Sequence, residues 1–491
     1  MGDMCITEEE MGEESGRRRK YRGLRRFNGG DALGKFWDVG EGPSSRYAVM
    51  LEQLNELSGQ IPESFGFLNR FQELFLYNNS LTGPIPLAIF NISSLQMIDL
   101  QYNFLGRQLI KAGAVVFRKQ QLDCLPHDIC KKTTRLKSLY LYKNQIGGQI
   151  PSSISGCQSL KEFSSSYNNI SGVIPAEIGN MSALQNLFLG SNNLTGELPF
   201  NFLNISSLMK IGLGSNRFTG NLPEDLCFMH PKLEYFELLR NQLNGQIPSS
   251  LSHCSALYDI ELGTNYFTGG IPAEIGNITD LQYLYLSNNS VTGEVPFRYF
   301  NFSSLVALEI AGNGFSGSVP PPDLYFRHPE LEYLNLEQNQ FHGQIRSSIS
   351  HCSTIDTLDL CGNKFTGNVP ENIGNMSMLQ NLVIGRNNFT SIILPSIGNM
   401  SRLLILQLGW NNFSGKIPLE LGKLPILEWV FIHSNQFTGE IPPELGRSSS
   451  IGRLYMNYNK ITGKIPLSVF NIPTLRKLGL SRNQLSGVSE S

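Results

Sequence analysis

The sequence predicts an α/β-type solenoid, a curved right-handed superhelix with a parallel β-sheet on its concave face and 3-10 or irregular turns on its convex face. The main evidence is a ladder of 18 asparagines, in which 14 of the 17 spacings are 24 residues. A glycine stands four residues after the asparagine in 16 cases, and a proline stands seven residues after it in 14. Such a register indicates one supersecondary unit repeated along the chain. The ladder consists of Asn55, Asn79, Asn103, Asn144, Asn168, Asn192, Asn216, Asn241, Asn265, Asn289, Asn313, Asn339, Asn363, Asn387, Asn411, Asn435, Asn459 and Asn483.

The repeat around Asn192 explains why each element is expected. Leu184, Leu187 and Leu189 precede the asparagine, and the last two follow the two-residue period of a strand with one buried face. Asn192 ends that strand, where its amide can bond backbone groups of the turn and form a ladder across stacked repeats. The pattern matches the leucine-rich-repeat consensus, which has a period of roughly 20–29 residues.

After the asparagine, the chain is expected to turn onto the convex side. Leu194 and Leu198 continue the core. Gly196 permits backbone geometry that a Cβ atom would hinder, and Pro199 fixes φ where the chain turns. One turn cannot bury its apolar face alone, whereas stacked turns build a continuous core. The prediction is therefore one solenoid of about 18 repeats over residues 47–491, rather than several separate domains.

The composition restricts the class of function. The chain of 491 residues carries 39 Lys and Arg against 41 Asp and Glu, so a general nucleic-acid binder is not expected. Only 16% of the residues are charged, whereas soluble domains average about 25%. Low charge follows because most positions of each repeat serve the core, the ladder or the turn. No apolar run reaches the ~18 residues of a membrane span.

Two segments lack the repeat. Residues 1–46 are acidic first and then basic, and we expect a disordered leader there, with a nuclear-localisation signal as the alternative. Residues 107–123 resemble no other part of the chain and indicate an irregular, looped-out insertion, with a functional island as the alternative. The sequence ends just after its last rung without a polar cap, which suggests truncation.

The hexapeptide that begins two residues after the ladder asparagine carries a resemblance to a known family. It reads LSGQIP at 57–62, LTGPIP at 81–86 and FSGKIP at 413–418. On these motifs, residues 50–491 resemble the extracellular domain of plant leucine-rich-repeat receptor-like kinases. The resemblance implies a binding domain for a peptide, a microbial pattern or a leucine-rich-repeat co-receptor, in defence or developmental signalling. It also implies a place on the outer face of the plasma membrane or in the apoplast.

The chain departs from that family's full pattern. It has no recognisable signal peptide, no Cys-paired N-terminal cap and no membrane span, so membrane association would need parts that this chain lacks. It also has no Gly-rich loop followed by a V-A-I-K lysine, no H-R-D and no D-F-G motif, so kinase activity is not expected. Two alternatives remain: a secreted inhibitor similar to polygalacturonase-inhibiting proteins, and a truncated receptor product without a function of its own.

Two cysteine pairs share their sequence context. Cys130 and Cys157 are 27 residues apart, as are Cys227 and Cys254, which places each pair on adjacent turns. We therefore consider two disulfides, which require Cα atoms within about 7 Å and an oxidising compartment. The cysteines and histidines do not cluster as a zinc site requires. No constellation indicates catalysis, and we expect neither a metal nor a cofactor.

Thirteen N-x-S/T sequences are candidate N-glycosylation sites. The repeat itself supplies asparagine followed by serine or threonine, but this density fits a secreted glycoprotein better than a cytosolic protein. The candidates are Asn78, Asn91, Asn169, Asn180, Asn193, Asn204, Asn277, Asn288, Asn301, Asn375, Asn388, Asn399 and Asn412.

The candidate binding surface is formed by the side chains that alternate with the core leucines before each ladder asparagine. Aromatic residues and arginine are typical binding anchors, and acidic strips attract basic partners. An exposed strand face that tolerates varied residues is the alternative. The acidic candidates are Glu237, Glu261, Glu309, Glu337 and Asp359, and the aromatic and basic candidates are Trp410, Trp429, Phe431, His433, Arg453, Tyr455 and Tyr458.

Overall fold

The computed structural model describes residues 56–106, 124–199, 205–229, 232–300, 302–318 and 329–488. The predicted leader 1–46, the predicted insertion 107–123 and the candidate glycosylation sites Asn204 and Asn301 lie outside the described residues. The described residues fall into two compact units, which divide between Tyr266 and Phe267. They are called the N-terminal unit and the C-terminal unit below.

In the N-terminal unit, the strand before each ladder asparagine pairs in parallel with the strand of the next repeat. Met97–Asp99 pairs directly with Ser138–Tyr140, so the sheet is continuous across the longest gap in the asparagine ladder. These strands are Glu73–Phe75, Met97–Asp99, Ser138–Tyr140, Glu162–Ser164, Asn186–Phe188, Lys210–Gly212, Tyr235–Glu237 and Asp259–Glu261.

The C-terminal unit has the same arrangement, and its strands also pair in parallel with the next repeat. They are Tyr283–Tyr285, Ala307–Glu309, Tyr333–Asn335, Thr357–Asp359, Asn381–Val383, Ile405–Gln407, Trp429–Phe431, Arg453–Tyr455 and Lys477–Gly479. We call this series of strands in each unit its principal sheet. The fold class predicted from the repeat, a leucine-rich-repeat solenoid, is confirmed for each unit.

A second set of short parallel strands follows the ladder asparagines, where the sequence predicted only 3-10 or irregular turns. In the N-terminal unit these are Ser58–Gln60, Ser80–Gly83, Phe104–Leu105, Ser171–Gly172, Asn193–Glu197, Arg217–Asn221 and Gln242–Asn244. In the C-terminal unit they are Thr292–Glu294, Gly314–Ser318, Gln340–Gly343, Lys364–Gly367, Asn388–Phe389, Ser414–Gly415, Gln436–Phe437, Thr462–Ile465 and Gln484–Val488. Gly196, at φ +82°, shows the left-handed conformation that favours glycine in this segment.

The turns that follow are mostly 3-10 helices, and proline commonly precedes the first helical residue. In the N-terminal unit they are Glu63–Phe67, Leu87–Asn91, Ser152–Gly156, Ala176–Asn180 and Ser249–His253, with one α-helical turn at Leu226–Met229. In the C-terminal unit they are Ala273–Asn277, Phe297–Tyr299, Ser347–His351, Glu371–Asn375, Pro395–Asn399, Leu419–Lys423 and Pro443–Arg447, with one α-helical turn at Leu467–Phe470.

The core of each unit lies between the principal sheet and these turns. Leu184, Leu187, Leu189 and Leu194 have no exposed surface, as the repeat pattern predicts. In the C-terminal unit, the position two residues after the ladder asparagine carries phenylalanine in successive repeats. Their rings stack with centroids 6.0–6.5 Å apart. The column consists of Phe315, Phe341, Phe365, Phe389, Phe413 and Phe437.

Close stacking of the 3-10 helices yields a first prediction. A Cβ atom on Gly422, in Leu419–Lys423, would overlap the backbone carbonyl of Glu444 in the next turn. We expect Gly422→Ala to destabilise the C-terminal unit by about 1–3 kcal/mol, because the neighbouring backbone must shift. Gly270→Ala is the control, since its Cβ would lie 3.6 Å from the carbonyl oxygen of Thr292, which is an ordinary van der Waals contact. Urea unfolding of both variants checks this, and equal stability of the two would contradict it.

Candidate functional site

The residue directly before the ladder asparagine adopts a left-handed conformation. Trp410 has φ +59° and Tyr458 has φ +56°, while the equivalent position is glycine at Gly312 and Gly362. A residue with a Cβ atom pays about 1–2 kcal/mol for this conformation. Trp410 is 46% exposed and Tyr458 is 55% exposed, so this turn presents large rings to solvent.

The aromatic and basic candidates of the C-terminal unit lie on the successive strands Ile405–Gln407, Trp429–Phe431 and Arg453–Tyr455 or in the turns that follow them. We call them the basic-aromatic surface (Trp410, Trp429, Phe431, His433, Arg453, Tyr455 and Tyr458). The guanidinium carbon of Arg453 lies 4.2 Å from the centre of the Trp429 ring, a cation–π contact. Phe431 stacks on Tyr455 with centroids 5.1 Å apart. Trp429 is only 6% exposed, which corrects the expectation that it is an open contact residue. Its ring supports Arg453, because the guanidinium lies over it.

His433 and Trp410 form a second contact within this surface. The His433 ring meets Trp410 edge-on, with centroids 6.3 Å apart. Its Nδ1 lies 3.3 Å from the Ser434 hydroxyl. A Cβ atom on Gly409 would be 2.7 Å from His433 Nε2, so that glycine makes room for the imidazole. Burial, and secondarily the positive charge of Arg386, lower the pKa of His433, which favours the neutral imidazole.

The charge on this part of the sheet has one sign. We consider the residues six, four, two and one before each ladder asparagine, in the repeats from Asn381–Val383 to Lys477–Gly479. These positions include Arg386, Arg453, Lys477 and Arg482, and none of them carries aspartate or glutamate. A surface of this composition attracts negatively charged groups of a partner.

The acidic candidates of the C-terminal unit are hydrogen-bonded within the protein. Ser287 donates its hydroxyl to Glu309 Oε1 at 2.9 Å, and Gln338 donates its side-chain amide to Glu337 Oε1 at 2.9 Å. Asp359 Oδ1 accepts the backbone N–H of Cys361 at 2.9 Å, and Asp359 is only 5% exposed. Asp359 therefore caps its own strand, which corrects the expectation that it is part of an open surface.

The acidic candidates of the N-terminal unit, Glu237 and Glu261, form a second cluster with Tyr235 and Asp259. We call these four residues the acidic cluster. Parallel pairing sets Tyr235 beside Asp259 and Glu237 beside Glu261. The Tyr235 hydroxyl donates to Glu237 Oε2 at 3.3 Å. Tyr235 is not among the candidates predicted from the sequence, although its position, two residues before Glu237 on the same strand face, was the available signal.

Burial dominates the electrostatics of the acidic cluster. Asp259 is 7% exposed, and burial followed by the charge of Glu237 raises its pKa from 3.8 to about 8. Burial, followed by the charges of Glu237, Glu261 and Asp259, raises the pKa of Tyr235 well above 10. At neutral pH Asp259 is therefore mostly protonated, because the cluster disfavours a further negative charge.

The cysteines pair between adjacent repeats. Cys130 is disulfide-bonded to Cys157 with Cα atoms 4.9 Å apart, and Cys227 to Cys254 with Cα atoms 5.2 Å apart. These are the two pairs that share sequence context. Cys352, in the matching context of a later repeat, is a buried free thiol, and burial raises its pKa to about 12.

The described glycosylation candidates are accessible. Asn193 is half-buried, and the other described candidates are exposed. These exposed residues are Asn78, Asn91, Asn169, Asn180, Asn277, Asn288, Asn375, Asn388, Asn399 and Asn412. Attachment of a glycan at these positions would require no change in the core.

The described residues contain neither a candidate metal site nor a candidate membrane-spanning helix. Among them, no group of three or more His, Cys, Asp or Glu side chains is arranged to hold a metal ion. No helix in this part of the chain is long and apolar enough to cross a bilayer.

Comparison with known proteins identifies the repeat. Family profiles described as leucine rich repeat match residues 134–194, 280–302, 330–352 and 354–376. A probable LRR receptor-like serine/threonine-protein kinase of Arabidopsis thaliana is 53% identical over 49 residues, which are 10% of this chain and 4% of that protein. The chain thus spans a small part of this curated relative.

Solved structures match over a greater length. A plant peptide hormone receptor, RGFR1 in complex with RGF2, is 31% identical, with a TM-score of 0.79 over 88% of this chain and 66% of that one. The Arabidopsis receptor kinase HAESA, in complex with the peptide hormone IDA and the co-receptor SERK1, is 28% identical, with a TM-score of 0.66 over 87% and 76% of the two chains. The chain is a leucine-rich-repeat protein. Its repeats are those of the plant leucine-rich-repeat receptor family, and they correspond to the ectodomain portion.

Proposed function

We propose that this chain is the recognition segment of a plant cell-surface receptor, which binds a peptide ligand and a leucine-rich-repeat co-receptor outside the cell. The observation that carries the proposal is the similarity to hormone-bound receptor ectodomains over 87–88% of the chain. The basic-aromatic surface supports it, because a supported arginine beside half-buried aromatic rings is the composition of binding hot spots. A role in defence or development, and the extracellular location, are parts of the same proposal.

A peptide-selection experiment tests this function. The chain, secreted with its disulfides formed, is used to select from a phage-displayed library of random peptides. We expect enriched peptides that bind Tyr455→Ala at least about tenfold more weakly than the wild type, because Tyr455 and Phe431 stack as a pair of half-buried rings that can anchor a ligand. Phe470→Ala, which removes a ring that is 52% exposed on the helix Leu467–Phe470, should bind them unchanged.

Two results would count against the proposal. One is the absence of enrichment over a column without the protein, and the other is equal binding of enriched peptides by the wild type and Tyr455→Ala. Inhibition of a polygalacturonase by a chain that enriches no peptide would favour the secreted-inhibitor alternative instead. A folded chain with neither property would favour the truncated product without a function of its own.

A further inference from the structure

The acidic cluster of the N-terminal unit is energetically unfavourable as it stands. Glu237 and Glu261 are direct neighbours on adjacent parallel strands, and like charges in that position destabilise a sheet. Gly212 ends the neighbouring strand Lys210–Gly212, and Gly214 follows it. The Glu237 carboxylate occupies the space that side chains at these two positions would take. Glycine thus lets this carboxylate lie low on the sheet, against the other members of the cluster.

Asp259 is an independent sign that the cluster lacks a hydrogen-bond donor. Its Oδ1 is buried and accepts no hydrogen bond. A buried polar atom without a partner costs free energy, and such atoms in native proteins need an explanation. Asp259 lies beside Tyr235 in the strand register and interacts electrostatically with Glu237, so it belongs to the same face. The cluster therefore combines two half-buried carboxylates with a buried carboxyl behind them.

We propose that the acidic cluster binds one basic side chain of the peptide ligand, an arginine guanidinium or a lysine ammonium. This inference rests on the proposed function and adds the charge of one ligand residue to it. Glu237 and Glu261 stand on strands about 4.8 Å apart, a span that one planar guanidinium can bridge with its several N–H groups. Among the described residues, no group of His, Cys, Asp or Glu side chains is arranged for a metal ion.

The groups around the cluster are compatible with this occupant. The Lys210 ammonium, on the neighbouring strand, lies 4.0 Å from Glu234, a carboxylate outside the cluster. The Phe188 ring is 6.3 Å from the Tyr235 ring, and both can flank a guanidinium. Tyr235 orients Glu237 through its hydroxyl. A bound cation would favour ionised Asp259, so binding should release a proton near neutral pH.

Two peptides that differ only in charge test the proposal. The probes are an acetylated and amidated alanine-based peptide with one central arginine and the same peptide with citrulline, its neutral isostere. In calorimetric titration of the full chain, the dissociation constant of the arginine peptide should be at least about tenfold lower than that of the citrulline peptide. Glu237→Gln should remove this difference, whereas Glu309→Gln, an acidic residue at the same repeat position in the C-terminal unit, should retain it.

The pH dependence separates a specific site from general attraction. For the wild type, affinity for the arginine peptide should rise several-fold from pH 6 to pH 9, and Asp259→Asn should abolish most of this rise. Equal binding of both peptides, no binding of the arginine peptide, or equal loss in Glu237→Gln and Glu309→Gln would overturn the proposal. If Glu237→Gln does not fold, as judged by circular dichroism, the two peptides and the pH series on the wild type still decide. Selected peptides that bind independently of basic residues would refute this inference and leave the proposed function standing.

Discussion

Replacing Asn192 by alanine is expected to destabilise the N-terminal unit by about 2–4 kcal/mol. Its side-chain amide donates to the carbonyl oxygens of Ser165, Leu189 and Gly190 at 2.9, 3.0 and 3.3 Å. Its carbonyl oxygen accepts the N–H of Ile170 at 3.0 Å. The substitution leaves the Ile170 N–H without its acceptor, in a site where Asn192 is only 9% exposed. Each of the three carbonyl oxygens loses one donor and keeps another, from Asn168, Asn216 and the N–H of Tyr167 respectively.

The hydrogen exchange rate of the Ile170 amide measures the loss of stability at this site. A local measurement is needed because long repeat arrays need not unfold in two states. Asn193→Ala is the control. It removes the next side chain, whose amide donates to Asn169 Oδ1 in an exposed position. Asn192→Asp keeps the acceptor for Ile170 but loses the donors, so its loss of stability shows how much the three carbonyl contacts contribute. Faster exchange in Asn193→Ala than in Asn192→Ala would contradict the assignment.

The same ladder explains why so much of the fold could be predicted from the sequence. Asparagine combines two donors with an acceptor on a short side chain, and the turn after each strand presents carbonyl and N–H groups at that reach. The leucines before Asn192 are fixed by the same register and are fully buried as expected. The second set of strands was not predicted, because segments such as Asn193–Glu197 lack two-residue hydrophobic alternation and pair through their backbone.

The candidate surfaces could be predicted in position but not in exposure. Trp429 and Trp410 are both outward residues of the repeat, yet they are 6% and 46% exposed. The difference arises because Trp429 lies within the strand, beneath Arg453, whereas Trp410 follows the strand in a left-handed turn. The burial of Asp359 has a similar cause, because its carboxylate folds back onto the N–H of Cys361. Such contacts between side chains and turns are not encoded in the spacing alone.

Asp259→Asn is expected to change the pH dependence of stability by several kcal/mol. Burial and the charge of Glu237 raise the folded-state pKa of Asp259 from 3.8 to about 8. Between these values the folded state binds more protons than the unfolded state, so the free energy of unfolding falls as pH rises. The loss begins near pH 4 and is complete above about pH 8. Its upper limit is about 6 kcal/mol, at about 1.36 kcal/mol for each pH unit.

The measurement compares the wild type with Asp259→Asn in urea at pH 5 and pH 8, so that contributions from titrating groups that do not interact with Asp259 cancel. The wild type should lose several kcal/mol more than Asp259→Asn between these pH values, and the variant should be the more stable protein at pH 8. Asp280→Asn, which removes an exposed carboxyl, should follow the wild type. Equal pH dependence in the wild type and Asp259→Asn would show that Asp259 does not titrate in this range. If the acidic cluster binds a basic side chain, saturating arginine peptide should reduce the wild-type loss, because the bound cation compensates the charge that ionised Asp259 brings into the cluster.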